Sequence, residues 1–187
     1  ADLIGHCFLV QTYFSGSKMI AKDVLVDCIS KNGANVVFIY PSKSLQPLIQ
    51  SLDLKLKNVI VKNSQSLAFM ADGFARVSRN PGVCIAPSGP YAASLVTGIM
   101  ASFMDSIPII AMALQVEKDS IGNDVFGEAD MVGITMPITK HNFTIVDQNK
   151  ISEVIDKAYL ISKSGRPGPV YIEIPRDVLD EHCNIIE

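Results

Sequence analysis

The chain has 187 residues, of which 48% are hydrophobic and 19% are charged, and this is enough for one domain with a full core. Its net charge of −3 offers no electrostatic attraction for nucleic acid or for an anionic membrane. No apolar run reaches the roughly 18 residues that a membrane-spanning helix needs. Length, composition and charge therefore exclude strongly basic binding modules and membrane-spanning proteins.

The cysteines and the first 18 residues give information about the cellular compartment of the protein. The four cysteines are scattered and include no CxxC pair, which is typical of reduced thiols in a cytoplasmic protein. Residues 1–18 lack the basic region of a secretory signal. Because Met19 directly precedes a helical pattern, we interpret residues 1–18 as a leader or extension, native or added, and residues 19–187 as one domain.

Helical spacing and short continuous apolar runs alternate along the chain. Helices are predicted, in chain order, at residues 20–32, 44–52, 64–79, 92–104 and 150–163. Strands are predicted at residues 36–40, 58–62, 82–86, 108–114, 142–146 and 169–174. A long segment from 115 to 141 is rich in motifs and carries no clear periodicity.

Six apolar strands that alternate with helices predict an α/β fold, with a mainly parallel sheet covered by helices on both faces. Ligands of such sheets bind beyond the carboxyl ends of the strands. This rule places the turns at 40–43, 62–66 and 87–91, together with Gln115, around one possible site. The alternative is that these segments are tight loops without a ligand.

Six segments carry a resemblance to a known family. They read AFMADGFAR (68–76), PGVCIAPSGP (81–90), LVTGIMASFMDSIPIIAM (95–112), IGNDVFGEADMVGIT (121–135), TKHNF (139–143) and GRPGPVYIEIPRDV (165–178). In order and spacing they resemble the pyrimidine-binding (PYR) domain of thiamine-diphosphate enzymes of the acetolactate synthase type. The resemblance extends over about residues 20–180.

The resemblance implies a transferase chemistry of branched-chain amino-acid biosynthesis. In the family, thiamine diphosphate forms a carbanion that decarboxylates one 2-oxo acid and ligates the product to another. The PYR domain holds the aminopyrimidine, and a separate domain holds magnesium and the diphosphate through a GDG…N motif. This sequence has no such motif. The chain alone is therefore not expected to hold the diphosphate, and the expected partners are a second copy or a homologous PYR or diphosphate-binding domain.

The position of the family's catalytic glutamate is altered. In the family, a glutamate in a HEQGA-like turn hydrogen-bonds the pyrimidine and drives deprotonation of the cofactor. Here the turn reads NSQSL (63–67), and Ser64 stands at the glutamate position. Loss of a positioned acid–base partner costs roughly 10²–10⁴ in rate. Ser64 has a second interpretation, as the cap of the following helix, and this structural role is the favoured one.

The resemblance carries over to further residues one by one. Cofactor-binding positions are Tyr40, Pro41, Gln65, Gly89, Pro90, Ser94 and Gln115. Catalytic positions besides Ser64 are Phe126, Gly127 and Arg176, and Glu128 also matches. Departures from the family cluster at the same turns, at Ser42, Lys43, Ser64, Ser66, Pro87, Tyr91, Ser94 and Gly127. Tyr91 replaces a glycine and is expected to add bulk near the cofactor.

Three hypotheses follow. The first is an enzyme that needs a complementary domain, and the second is an inactive PYR homologue that acts in binding, assembly or regulation. The third is a pocket for another small molecule, lined by Lys43 and Tyr91. An exposed apolar surface on the helix at 92–104 predicts a dimer.

Other conspicuous residues have structural interpretations. His141 is assigned a structural or hydrogen-bonding role, and with three histidines in the chain no metal site is predicted. Four methionines are interpreted as core filler, namely Met70, Met100, Met104 and Met112.

Overall fold

The structure is a computed structural model that describes residues 19–184. Its strands are β1 (Met19–Ile20), β2 (Val36–Ile39), β3 (Lys57–Ile60), β4 (Gly82–Ala86), β5 (Ile109–Gln115), β6 (His141–Thr144), β7 (Val170–Pro175) and β8 (His182–Cys183). Six of them form one parallel sheet in the order β3-β2-β4-β5-β7-β6. The short strands β1 and β8 pair antiparallel in a separate two-stranded sheet.

Seven α-helices connect these strands in the described part of the chain. They are α1 (Ala21–Lys31), α2 (Gln46–Asp53), α3 (Ser64–Ser78), α4 (Pro90–Ala93), α5 (Val96–Asp105), α6 (Met131–Thr135) and α7 (Ile151–Lys163). Helices α1, α2 and α7 pack on one face of the sheet, and α3, α4 and α5 pack on the other. The connections through α2 and α7 step toward the β3 edge of the sheet, and those through α3 and α5 step toward the β6 edge. Because crossovers between parallel strands have the same hand, steps in opposite directions place the helices on opposite faces.

The strands are buried because both faces of the sheet are covered. Every residue of β4 is buried, with Val83 and Ile85 directed into the core beside α1 and Cys84 and Ala86 into the core beside α3. A continuous apolar run without polar alternation is typical of such a strand. The predicted parallel α/β sheet of six strands is therefore confirmed.

Two segments differ from the prediction. The helix expected at 92–104 is two helices, because the chain tightens after α4, where the Leu95 amide donates to the Ala92 carbonyl at 3.0 Å. The segment from 115 to 141 contains α6, whose first turn is capped by Asp130. The periodicity of α6 escaped detection because the helix is only five residues long. Residues 1–18, predicted to be a leader or extension, lie outside the described residues.

Helices α3 and α5 approach each other closely. A Cβ atom on Gly98 would lie 2.6 Å from Ala68 Cβ, so the contact depends on the absence of a side chain at this position. The Ser102 hydroxyl donates to the buried Asp72 carboxylate at 2.9 Å across the helix pair. Asp72 also accepts from Arg76 at 2.6 Å. Packing and hydrogen bonds together fix the two helices as one layer.

The opposite side of this helix layer, which we term the outer face, is apolar and exposed. Phe69 and Met70 of α3 are 43% and 39% exposed, and Met100 and Met104 of α5 are 42% and 62% exposed. The interpretation of Met70, Met100 and Met104 as core filler was wrong, because helical spacing does not distinguish the sheet-facing side of a largely apolar helix from its outer side. Met112, in β5, is buried as predicted.

Candidate functional site

A crevice lies between the carboxyl ends of β2 and β4. After β2 the chain leaves toward α2 on one face of the sheet, and after β4 it leaves toward α4 on the other. Such a reversal between neighbouring parallel strands opens a crevice, and this is where open α/β sheets bind ligands. Tyr40 and Pro41 border it after β2, and residues 87–91 border it after β4.

The turn after β4 requires a glycine. Gly89 has φ 65° and ψ −131°, a conformation that side chains strongly disfavour. A Cβ atom on Gly89 would also lie 2.9 Å from the Cα atom of Gly127. Gly127 has φ 93°, so two glycine-dependent backbones meet at this point. The turn after β4 and the loop around Gly127 therefore close one side of the crevice by direct backbone contact.

Two tyrosine rings contact each other across the crevice in a tilted arrangement. The ring centroids of Tyr40 and Tyr91 are 4.7 Å apart, with 39° between the ring planes. The Tyr40 amide donates to the Ile85 carbonyl at 3.1 Å, which anchors Tyr40 to β4. Burial raises the pKa of Tyr40, and the neighbouring Tyr91 raises it further. One side of the Tyr40 ring is thus covered by a residue of the same chain.

Ser64 does not cap α3. The cap is Asn63, whose extended backbone leaves its side-chain oxygen free to accept from the Gln65 amide at 2.9 Å. Ser64 is already the first helical residue and is only 9% exposed. The favoured interpretation of Ser64 as the helix cap was therefore wrong, because the preceding residue satisfies that requirement. Ser64 presents a neutral hydroxyl, which can donate and accept hydrogen bonds but carries no charge.

Gln115 belongs to a buried polar cluster at the carboxyl ends of β5 and β7. Its side-chain amide donates to the carbonyl of Ala129 at 3.0 Å and to the carboxylate of Glu173. Its oxygen accepts from the Val116 amide at 2.9 Å. Gln115 and Glu173 are 7% and 6% exposed. Gln115 therefore ties the segment that follows β5 to the sheet.

Glu173 was missed by the sequence analysis. Burial raises the pKa of its carboxyl to about 7, while the hydrogen bond from Gln115 lowers it and the charge of Asp130 raises it. The available signal was an acidic residue inside the apolar run VYIEIP, which forms the buried strand β7. A buried carboxyl group with a raised pKa often marks a functional region.

The loop that contains Phe126 is braced from within. Glu128 accepts from the Gly122 amide at 2.6 Å and from the Val125 amide at 3.3 Å. The side chain of Phe126, at the tip of this loop, is 99% exposed. Internal hydrogen bonds thus hold an aromatic side chain away from its own domain, in a position suited to contact another molecule.

The predicted site residues fall into two groups. Around the crevice between β2 and β4 lie Tyr40, Pro41, Ser64, Gln65, Gly89, Pro90, Ser94 and the contacting Gly127. Gln115 and Arg176 lie at the ends of β5 and β7, and Phe126 at its loop tip is in neither group. The Arg176 guanidinium donates to Glu117 at 2.8 and 3.1 Å. The Ser94 hydroxyl donates to the Pro90 carbonyl at 2.8 Å.

The crevice group offers aromatic faces, hydroxyl groups and backbone groups, and its predicted members include no carboxylate. Within residues 19–184, no three His, Cys, Asp or Glu side chains are arranged to hold a metal ion. In the same range, no helix combines the length and the apolar character that spanning a membrane requires. The predicted members of the crevice group therefore offer aromatic surface and neutral polar groups.

Comparison with known proteins identifies the family. The family described as "Thiamine pyrophosphate enzyme, N-terminal TPP binding domain" matches residues 19–149. The chain is 42% identical over 168 residues to a probable acetolactate synthase large subunit of Methanocaldococcus jannaschii. It is 43% identical over 165 residues to the acetolactate synthase large subunit of Cyanidium caldarium, and 39% identical over 158 residues to the chloroplastic acetolactate synthase of Arabidopsis thaliana.

These alignments cover most of this chain and a small part of each relative. They span 89%, 86% and 83% of the chain but 28%, 28% and 24% of the respective relatives. The similarity is therefore to one domain of longer enzymes. The chain belongs to the family of N-terminal TPP-binding domains of thiamine pyrophosphate enzymes, as a PYR domain resembling that of the acetolactate synthase large subunit.

Proposed function

We propose that the chain acts as the pyrimidine-binding part of an acetolactate synthase-like enzyme, and that a separate domain or chain holds magnesium and the diphosphate. The observation that carries this proposal is the crevice between β2 and β4, where Gly89 adopts a glycine-specific conformation beside Tyr40. Bound thiamine diphosphate would supply the electron sink for 2-oxo acid decarboxylation and carboligation. The cytoplasmic location stays a prediction from the sequence.

Individual residues take roles in this proposal according to their place. Tyr40, Pro41, Gly89 and Pro90 border the ring-binding crevice, and Gln65 lies in the first turn of α3 beside it. Phe126 is fully exposed at the tip of its loop and would be available to contact a partner domain. Gln115 and Arg176 hold neighbouring segments through hydrogen bonds, and Ser94 and Gly127 shape the turn and the loop.

Two side chains at the crevice do not favour aminopyrimidine chemistry. Ser64 supplies no carboxylate to the ring, and Tyr91 covers Tyr40. These two observations favour a second candidate function, in which the chain is an inactive PYR homologue that binds and supports an active partner. A binding or assembly role needs the scaffold and its outer face but not the acid.

A titration separates the two candidate functions. The chain is mixed with thiamine diphosphate and magnesium, with and without a diphosphate-binding domain of a homologous enzyme, and cofactor binding and pyruvate consumption are measured. The enzymatic proposal predicts turnover only in the mixture. We expect Ser64→Glu to raise that turnover by roughly 10²-fold or more, because it restores a positioned proton-transfer group.

The control is Ser66→Glu, which adds the same charge to the same helical turn at a position that does not correspond to the family's glutamate. An equal gain from both variants would indicate a general charge effect and contradict the role assigned to position 64. Absence of binding and of turnover in every mixture would exclude the enzymatic proposal and leave the assembly role.

We propose further that the outer face pairs with a second copy of the chain or with a homologous PYR domain. Its exposed side chains Phe69, Met70, Met100 and Met104 lie on two helices that pack as one layer. Exposed apolar patches of this kind mark association surfaces on soluble proteins. Two such layers packed together would bury these side chains in a helix–helix interface.

Sedimentation measures this pairing directly. We expect a dimer at micromolar concentration, and we expect Met100→Glu to weaken it by on the order of tenfold or more, because a charge would be buried against apolar side chains. Leu160→Glu is the matched control, since Leu160 is 68% exposed on α7, which packs on the opposite face of the sheet. A monomeric wild-type chain, or equal weakening by both variants, would contradict this assignment of the interface.

A further inference from the structure

The crevice between β2 and β4 lies where the connections leave neighbouring parallel strands on opposite faces of the sheet, which is where open α/β sheets bind ligands. The aromatic surface of Tyr40 in this crevice is already in contact with another side chain. The Tyr40 and Tyr91 rings lie with centroids 4.7 Å apart, a spacing that is usual for interacting aromatic pairs. A flat heterocycle that packed on the same face of Tyr40 would need the space that the ring of Tyr91 now fills.

The residues around Tyr40 and Tyr91 limit the other places in the crevice where a ligand ring could bind. On one side, the turn at Gly89 contacts the backbone of Gly127, with no room for even a Cβ atom. On the other side, α3 begins with the buried residue Ser64. Tyr40 itself is anchored by its backbone hydrogen bond to Ile85. Tyr91 differs from these neighbours because its side chain is 43% exposed and has open solvent beside it.

We infer that Tyr91 is a specificity-determining plug, which stacks on Tyr40 across the β2–β4 crevice and competes with an aminopyrimidine ring for the same aromatic surface. The inference rests on the proposed function, since it takes the crevice as the pyrimidine site. It adds that affinity for the ring is set by the side chain at position 91. The site is closed in the resting chain and opens when the Tyr91 ring moves into solvent.

Binding measurements on variants of Tyr91 test the plug. Tyr91→Gly and Tyr91→Ala remove the ring, and Ala keeps better helix propensity in case the glycine variant is poorly folded. Tyr91→Phe keeps the ring and is the matched control. Thiamine and its isolated aminopyrimidine half are titrated into the 187-residue chain, and binding is measured by calorimetry. Tyrosine fluorescence is a second readout, since the sequence contains no tryptophan.

We expect both ring-deleting variants to bind the aminopyrimidine on the order of tenfold to a hundredfold more tightly than the wild type, as expected for stacking of one ring on an aromatic side chain. Tyr91→Phe should bind as weakly as the wild type. Quenching of tyrosine fluorescence by the ligand should accompany binding in the glycine and alanine variants, because Tyr40 becomes the stacking partner.

The outcomes separate the plug from the proposed function. If the wild type binds as tightly as the ring-deleting variants, or more tightly, the plug is wrong and pyrimidine binding stands. If only the ring-deleting variants bind, even with a diphosphate-binding domain present, the plug stands and the wild-type chain is not a cofactor-binding subunit. If no variant binds thiamine or the aminopyrimidine under any condition, both are overturned.

Discussion

Replacement of Gly82 with alanine is expected to lower the free energy of unfolding by about 3 kcal/mol or more. Gly82 begins β4 and lies under α3. An alanine Cβ atom there would lie 2.6 Å from the carbonyl carbon of Ala71 and closer still to its oxygen. Both groups are backbone atoms in regular elements, so no side-chain rotation relieves the contact. Helix and strand would have to separate, and buried surface would be lost.

Urea denaturation followed by circular dichroism measures this effect. The matched control is Gly73→Ala, in the same helix as Ala71, where an added Cβ atom meets nothing within 4 Å. That substitution should stabilise the chain by roughly 0.5–1 kcal/mol, because alanine favours the helix and restricts the unfolded chain. Similar free energies of unfolding for the two variants would show that close packing of α3 on β4 does not determine stability.

The same contact sets the geometry of the crevice. Helix α3 carries Ser64 at its start, and β4 leads directly into the turn with Gly89 and Tyr91. The distance between α3 and β4 therefore determines how far position 64 lies from the turn. The absence of a side chain at Gly82 thus allows α3 and β4 to pack closely and sets the separation of the two borders of the crevice.

Replacement of Glu173 with glutamine is expected to remove a pH dependence of stability. Burial raises the pKa of this carboxyl from 4.5 to about 7, so ionisation costs more in the folded chain than in the unfolded chain. The resulting destabilisation is absent below pH 4.5, grows as the pH rises toward 7 and is complete above it. Since one pKa unit corresponds to about 1.4 kcal/mol, the total amounts to roughly 3 kcal/mol.

Denaturation at a series of pH values tests this expectation. Relative to the wild type, the free energy of unfolding of Glu173→Gln should rise by roughly 3 kcal/mol between pH 4.5 and pH 8. The amide oxygen of the new glutamine can still accept a hydrogen bond from Gln115. Asp130, in a neighbouring segment, is the charged group that further raises the pKa of Glu173. Parallel pH profiles for the wild type and the variant would contradict a raised pKa at Glu173.

Glu153→Gln is the matched control for the direction of the effect. Hydrogen bonds from Lys157 and Lys150 lower the pKa of the exposed Glu153. A lowered pKa stabilises the folded chain above the ordinary pKa of the group, and this contribution disappears as the pH falls through the folded value. The two substitutions should therefore shift the pH profile in opposite directions, with the smaller change at the exposed position.

The strands were predictable because their sequence signal is local and strong. Strands β4, β5 and β7 are almost entirely apolar, with Gln115 at the end of β5 and Glu173 inside β7 as the polar exceptions. Short runs of this type are typical of strands covered on both faces. The boundaries of α1 and α7 agree with prediction to within one residue, since their apolar spacing is regular. The short β1 and β8 were missed, because two residues carry no periodicity.

The candidate site was predictable in position and much less in detail. The rule for parallel sheets placed the turns with Tyr40, Ser64 and Gly89, together with Gln115, at the carboxyl ends of strands, and the structure has these residues at or after the ends of β2, β3, β4 and β5. The interpretation of Ser64 as a cap failed because two adjacent residues, Asn63 and Ser64, are both good capping types, and only the backbone conformation decides between them.

The sequence by itself determined the alternation of strands and helices, the family, and the serine at position 64, where the resemblance leads us to expect a glutamate. These properties depend on residue type and spacing along the chain. Only the tertiary structure revealed the stacking of Tyr91 on Tyr40, the bond between Gln115 and Glu173, and the apolar outer face. Each joins residues far apart in sequence or depends on the direction of a side chain, and chain folding alone decides such contacts.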